Sequence, residues 1–170
     1  DIAQCLVGSE MCIRDRNEPK ALVLDIGGFT ADYLQLRNGE GNLAVCDSLE
    51  NGVISLYNKI ISKVNAEHDM LVDEDEIDAI LLKQKTPATP DIARIVEREA
   101  KDFISDLFST LRERGLELKT GKVVFAGGGS ILLRRQILAS GKIGSALFVE
   151  DVRANAKGYE LLYQAVSGGG

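Results

Sequence analysis

Two short runs in this sequence hold the residue types that phosphate chemistry needs. The first is Asp25-Ile26-Gly27-Gly28-Phe29-Thr30-Ala31-Asp32. Adjacent glycines permit a tight reversal whose backbone N–H groups face outward with no Cβ in the way, which is how a turn cradles phosphate oxygens. Thr30 adds a hydroxyl donor. Asp25 stands at the mouth, where a carboxylate could hold a hydrated Mg²⁺ or orient an attacking water, because that ion keeps several waters and takes one or two carboxylates plus phosphate. An ordinary glycine turn flanked by solvated acids accounts for the same spacing, and the spacing alone leaves both readings open.

The second run, Gly127-Gly128-Gly129-Ser130, follows a strand-like segment and precedes a helix-like one. A helix N-terminus there would offer free N–H groups and a favourable dipole to an anion. It is not the dinucleotide fingerprint, since Leu132 takes the place of the third glycine. No GxxxxGK[ST] loop occurs. A packing role for one or two of the three glycines remains open, and the case strengthens only if the fold brings both turns to one sheet edge.

Other chemistry is excluded by composition. The chain has 170 residues, with 26 acidic against 20 basic side chains and a net charge of −6. A surplus of acid argues against electrostatic nucleic-acid binding, which needs Lys and Arg to displace counterions from phosphates. Hydrophobic residues make up 45%, so the chain reads as globular, and no apolar run reaches the roughly 18 residues of a membrane span. Cys5, Cys12 and Cys46 are an odd set without CxxC, and His68 is the sole histidine. They give no disulfide framework, zinc knuckle or catalytic triad, and a reducing, cytoplasmic setting is expected. Asp73-Glu74-Asp75-Glu76 reads as the acidic first turn of a helix, since the spaced ligands of a calcium loop are missing.

The elements that must position the two runs follow from periodicity. Ala21 to Ile26, Phe29 to Leu36 and Leu43 to Ser48 read as three antiparallel strands, with turn chemistry at Arg37 to Asn42. Val53, Leu56, Tyr57, Ile60, Ile61 and Val64 recur at helical spacing, predicting a helix over about Gly52 to Ala66. Asp73 with Glu76 forms a capping box for a second helix over Ile77, Ile80 and Leu81. Thr86-Pro87-Ala88-Thr89-Pro90 breaks it, and a third helix runs from near Asp91 to a stop at Gly115, with Ile92, Ile95, Val96, Ala100, Phe103, Leu107 and Leu111 on one face. Lys122 to Ala126 reads as a strand, Ser130 as the cap of a helix over Ile131 to Leu138, Ala146 to Val149 as a last strand and Arg153 to Val166 as a last helix. Gly158 inside that helix costs about 1 kcal/mol against Ala, which points to close packing. The class is therefore α/β, a mixed sheet in the order βββ-ααα-β-α-β-α with helices on both faces, the order of a ribonuclease H-like subdomain. Such sheets bind ligands at the carboxyl ends of their strands, where both glycine runs fall.

Residues 1–16 stand outside this pattern. The string from Ala3 to Arg16 resembles a peptide produced when sequencing-adapter DNA is translated at the edge of an assembled read. We therefore expect a non-native segment there and a single domain over 17–170, with native sequence missing upstream.

With both runs in view, the sequence resembles the second phosphate loop and the adenosine loop of the actin, sugar-kinase and heat-shock chaperone ATPase superfamily. The helix start at Glu50-Asn51-Gly52 and the closing Val152-Arg153-Ala154-Asn155-Ala156-Lys157-Gly158-Tyr159 resemble the ParM/StbA-type bacterial actin-like proteins, and the likeness covers only the C-terminal half of such a protein. The resemblance implies that Asp25 lies near the catalytic water and Mg²⁺, that Gly27, Gly28 and Thr30 bind the β- and γ-phosphates, and that Gly127, Gly128, Gly129 and Ser130 flank the adenosine of ATP. For Gly52 it implies either a nucleotide-facing position or simply a helix start; for Asp32, either a direct role or a turn-stabilising hydrogen bond. The base-contacting acid and lysine of relatives have no clear match here; Glu76 and Lys83 lie in the corresponding stretch, and solvated helix faces explain them equally well. Arg134 and Arg135 face solvent or a filament neighbour. The other Asp-x-Gly turn of these ATPases has no counterpart upstream, so the chain is expected to supply one wall of a two-walled cleft. The implied parent is a filament-forming ATPase for plasmid or DNA segregation, assembling head to tail, with a possible DNA-bound adaptor and no membrane contact. A sugar or small-molecule kinase and a non-catalytic assembly protein of cell division share the same core and stay as alternatives.

Overall fold

The computed structural model describes residues 20–37 and 40–149. Strands β1 (Lys20–Ile26), β2 (Ala31–Arg37) and β3 (Glu40–Leu49) form the antiparallel meander expected from the sequence. Phe29 belongs to the turn and not to β2. β3 has ten residues against seven in β2, and a register shift between Leu34 and Gln35 absorbs the surplus. Strands β4 (Lys122–Ala126) and β5 (Ser145–Phe148) add in parallel, giving one five-stranded sheet in the order β3-β2-β1-β4-β5. β1 is thus central, and every residue from Ala21 to Ile26 is buried, which is why it reads as an uninterrupted apolar run.

Between β3 and β4 come α1 (Val53–His68), α2 (Glu74–Leu81) and α3 (Pro90–Glu113). Their apolar stripes share one core with Leu22, Leu24 and Ile26 of β1 and with Val123 and Phe125 of β4. Phe125 stacks on Phe148 with centroids 5.0 Å apart and meets Phe108 of α3 at 6.3 Å. The α2 cap is as expected: Asp73 Oδ1 accepts from Glu76 N–H at 2.8 Å. Pro90, expected in the break before α3, instead opens that helix behind the Thr89 cap, because a first-turn position needs no N–H. Gly115, with φ of +81°, ends α3 as the pattern predicts, and Leu116 N–H closes onto Leu111 C=O at 3.0 Å.

After β4 the single helix expected over Ile131 to Leu138 is two short ones, α4 (Gly128–Leu132) and α5 (Arg134–Ala139), meeting at Leu133. Nor does Ser130 cap it. Gly127 holds the N-cap position and Ser130 lies inside α4, because three glycines in a row let the helix begin earlier than a serine signal suggests. All five described helices lie on the Leu24 face. The opposite face gathers Ala21, Val23, Leu34, Leu36 and Val124. The last helix, on which coverage of both faces depended, lies outside the described residues, as do residues 1–16 and Gly158. None of the described helices is long and apolar enough to cross a membrane.

Candidate functional site

Asp25 and Asp32 are directly opposed across β1 and β2, so only Gly27 to Thr30 remain for the reversal beyond the last ladder pair, Ile26 with Ala31. Gly27 N–H donates to Thr30 C=O at 2.8 Å. The carbonyls of the turn point the other way, into the start of α1: Gly27 C=O accepts from Val53 N–H at 3.0 Å, Gly28 C=O from Ile54 N–H at 2.9 Å and Phe29 C=O from Gly52 N–H at 3.0 Å. A helix leaves its first amides without internal partners, and here the turn supplies them. With its carbonyls spent in that direction, the turn keeps the N–H groups of Gly28, Phe29 and Thr30 without a hydrogen bond to any described residue. Gly28 and Phe29 are exposed. Amides left over in this way at an exposed turn are donors of the kind that can receive an anion.

Gly52 explains why the helix can approach so closely. A Cβ at this N-cap would collide with the carbonyl of Gly28 and the backbone of Phe29. It therefore stands at the back of the turn, against the peptide planes. Ser55 Oγ adds a bond to Gly52 C=O at 2.7 Å.

The second run reaches the same edge. β4 pairs in parallel with β1, placing Ala126 beside Asp25, and Gly127 leaves the strand with φ of +81°. A Cβ on Gly127 would strike Asp25 Oδ1 and the Ile26 carbonyl, and one on Gly129 would lie 2.8 Å from Ile26 O. The Asp25 carboxylate thus lies against Gly127, 102 residues away in sequence (127 − 25) and at the end of the neighbouring strand. Gly128 is open on its Cβ side. Ser130 is fully buried, and its Oγ has no partner among the described residues.

Asp25 is 8% exposed at the rim. Asp32 accepts from Thr30 Oγ1 at 3.3 Å and from Ser48 Oγ on β3, where Ser48 is its register partner. The turn-stabilising bond expected of Asp32 is present, extended by a serine that only strand register could reveal. The donor set at this edge is hard oxygen, and among the described residues no three His, Cys, Asp or Glu side chains converge. Such a set suits a cation that keeps its waters and shares a phosphate, and does not suit a closed protein cage.

The remaining candidates sit elsewhere. Glu76 is in the first turn of α2. Lys83 pairs with Glu97 at 2.6 Å, and Arg135 Nη1 donates to the same carboxylate at 3.2 Å and to Leu81 C=O at 3.1 Å. Burial raises the Glu97 pKa, but hydrogen bonds from Lys83, Arg135 and Gln136 outweigh it and hold the carboxyl below its ordinary value. Arg135 therefore ties α2, α3 and α5 together, while Arg134 lies over the Phe148 ring at 4.8 Å. Glu99, which periodicity concealed on the apolar stripe of α3, is fully buried between Lys59 at 3.2 Å and Lys63 at 2.5 Å, with Arg98 at 3.2 Å. Two hollows of about 210 and 380 Å³ lie away from the glycine runs, the first at the opposite end of β1 by Ala21, Gln35 and Lys122, the second between α3 and α5.

Comparison with solved structures shows the fold. An archaeal actin homologue, Ta0583, superposes with a TM-score of 0.65 at 21% identity, covering 96% of this chain and 54% of its own. A 15-stranded ParM filament from Clostridium botulinum gives 0.69 at 15% identity, covering 94% and 51%, and Bacillus thuringiensis ParM with ATP gives 0.64 at 12%, covering 95% and 54%. The chain spans about half the length of these neighbours. No curated protein matches it. Residues 23–139, from the middle of β1 to the end of α5, match the family described as archaeal actin homologue MreB-like, C-terminal. Both glycine runs fall inside that match, and the chain accordingly belongs to the archaeal MreB-like actin homologues, of which it carries the C-terminal domain.

Proposed function

We propose that the edge built by residues 25–30 and 127–129 is one wall of an ATP site, in a protein whose nucleotide state governs assembly into head-to-tail filaments. The observation that carries this reading is the contact between the Asp25 carboxylate and the Gly127 backbone, beside the outward amides of Gly28, Phe29 and Thr30. In this reading the amides take phosphate oxygens and Gly127 to Gly129 pass along the nucleoside, with Ser130 behind them in the core. Asp25 holds a water of the Mg²⁺ shell, and the ion would supply charge neutralisation on the phosphates. Solved relatives include Ta0583 in complex with ADP and ParM with ATP, which supports a nucleotide as the ligand. Filament structures among them support self-association, and a role in plasmid or DNA segregation through an adaptor in the cytoplasm is part of the proposal that rests on the sequence resemblance to ParM-type proteins alone.

An open wall positions a triphosphate from one side only, and hydrolysis requires positioning from both. This chain should therefore bind ATP·Mg²⁺ weakly and turn it over negligibly, while a longer protein that carries the second wall should hydrolyse ATP and sediment as polymer. Titration calorimetry at millimolar ATP, with phosphate release and pelleting on both proteins, tests this. Asp25→Asn in the longer protein should lower turnover by about a hundredfold or more while leaving nucleotide bound. Loss of binding on ADP and ATP alike in both proteins would remove the reading.

A further inference from the structure

The hydroxyl of Thr30 is already spoken for. A carboxylate has no proton to give, so the 3.3 Å contact between Thr30 Oγ1 and Asp32 Oδ2 uses the one proton that the threonine owns. The other oxygen of Asp32 accepts from Ser48 Oγ. Asp25, opposite Asp32 in the register, is an acid and brings no competing donor. Asp47, next to Ser48, pairs with Arg114 and accepts from Ser48 N–H at 2.8 Å, so it is engaged elsewhere.

With its proton committed, Thr30 presents lone pairs to whatever lies outside the turn. Phosphate oxygens are also acceptors, and two acceptors facing one another repel. A water molecule donates, and one bound to a divalent cation donates strongly. We infer that Thr30 serves this edge as an acceptor for a cation-bound water, and that Ser48, acting through Asp32, is the positioning residue that fixes it in that sense. The amides of Gly28, Phe29 and Thr30 take the phosphate and the hydroxyl takes the ion's hydration shell. Thr30 thereby keeps the phosphate-binding role that the resemblance implied through its amide, and not through its hydroxyl.

This inference rests on the nucleotide reading, and its test separates the two. The chain is titrated with ATP in EDTA and again with Mg²⁺, as wild type, Thr30→Val, Thr30→Ser and Ser48→Ala. Thr30→Val should keep the metal-free affinity within about twofold and lose about fivefold of the gain that Mg²⁺ confers, Ser48→Ala should lose a smaller part of that gain, and Thr30→Ser should restore it. Equal weakening by Thr30→Val with and without metal would make the hydroxyl a phosphate donor and overturn the inference while leaving the nucleotide reading intact. The same titrations are run on the longer protein that carries the second wall, and no binding by wild type in either protein would overturn the nucleotide reading and this one with it. A ligand-free measurement addresses the serine alone: three-bond couplings about the Thr30 Cα–Cβ bond should report one rotamer in wild type and averaging in Ser48→Ala. Unchanged couplings would overturn the positioning role.

Discussion

The carboxylate of Asp25 rests against the backbone of Gly127, at a point where no residue with a Cβ could stand. Two effects coincide there, a left-handed backbone and a close approach, and they can be separated. Gly115 has the same φ of +81° with nothing within 4 Å of a built Cβ.

Gly115→Ala should therefore cost only the conformational strain, about 1 kcal/mol. Gly127→Ala adds the collision with Asp25 and should cost at least ~2 kcal/mol more. Urea unfolding of the two variants side by side measures the difference, and equal midpoints would mean that Asp25 yields without cost.

Gly52→Ala drives a methyl into the peptide planes of the turn and should destabilise by about 2 to 3 kcal/mol. Gly128→Ala, into open space, should stay within about 0.5 kcal/mol. Amide exchange at Val53 and Ile54 should rise in the first variant and not in the second, since those amides bond to the turn carbonyls.

Burial pushes the Glu99 pKa up, but hydrogen bonds from Lys63, Lys59 and Arg98 prevail and hold the carboxyl below its ordinary 4.5. A depressed carboxylate contributes stability that is complete above its unfolded pKa and disappears as pH falls through the folded one. Glu99→Gln should accordingly cost about 2 kcal/mol at pH 7, and the gap to wild type should close below pH 4.5. Urea midpoints from pH 7 to 3 measure this; a gap independent of pH would assign the loss to packing.

Asp73→Ala removes a single cap bond and should cost about 1 kcal/mol. The effect should be confined to α2, read as faster exchange of the Glu76 and Ile77 amides with α1 unchanged.

Much of this architecture was legible because it rests on patterns of short range. The apolar run of β1, the helical spacing from Val53 to Val64 and the Asp73 cap each state their structure within a dozen residues. What escaped depends on partners brought by the fold. Ser48 reaches Asp32 only through the β2–β3 register, and Gly52 meets the turn only once α1 has docked. Glu99 could not be singled out from the sequence, because the lysines that pair with it lie 36 and 40 residues away (99 − 63 and 99 − 59). The start of α4 was misread for a different reason: glycine tolerates so many conformations that three in succession do not say where a helix begins.

The carbonyls of Gly27, Gly28 and Phe29 hold three successive amides of α1, so reversal and helix form one lever. At ~1.5 Å per residue its 16 residues extend about 24 Å, and a tilt of about 5° at the reversal carries the Asp69 end through roughly 2 Å. The exposed side chains of Met70 and Leu71 follow directly on that end. A small tilt at the glycines would therefore arrive, amplified, at the exposed Met70 and Leu71 beyond the other end of the helix.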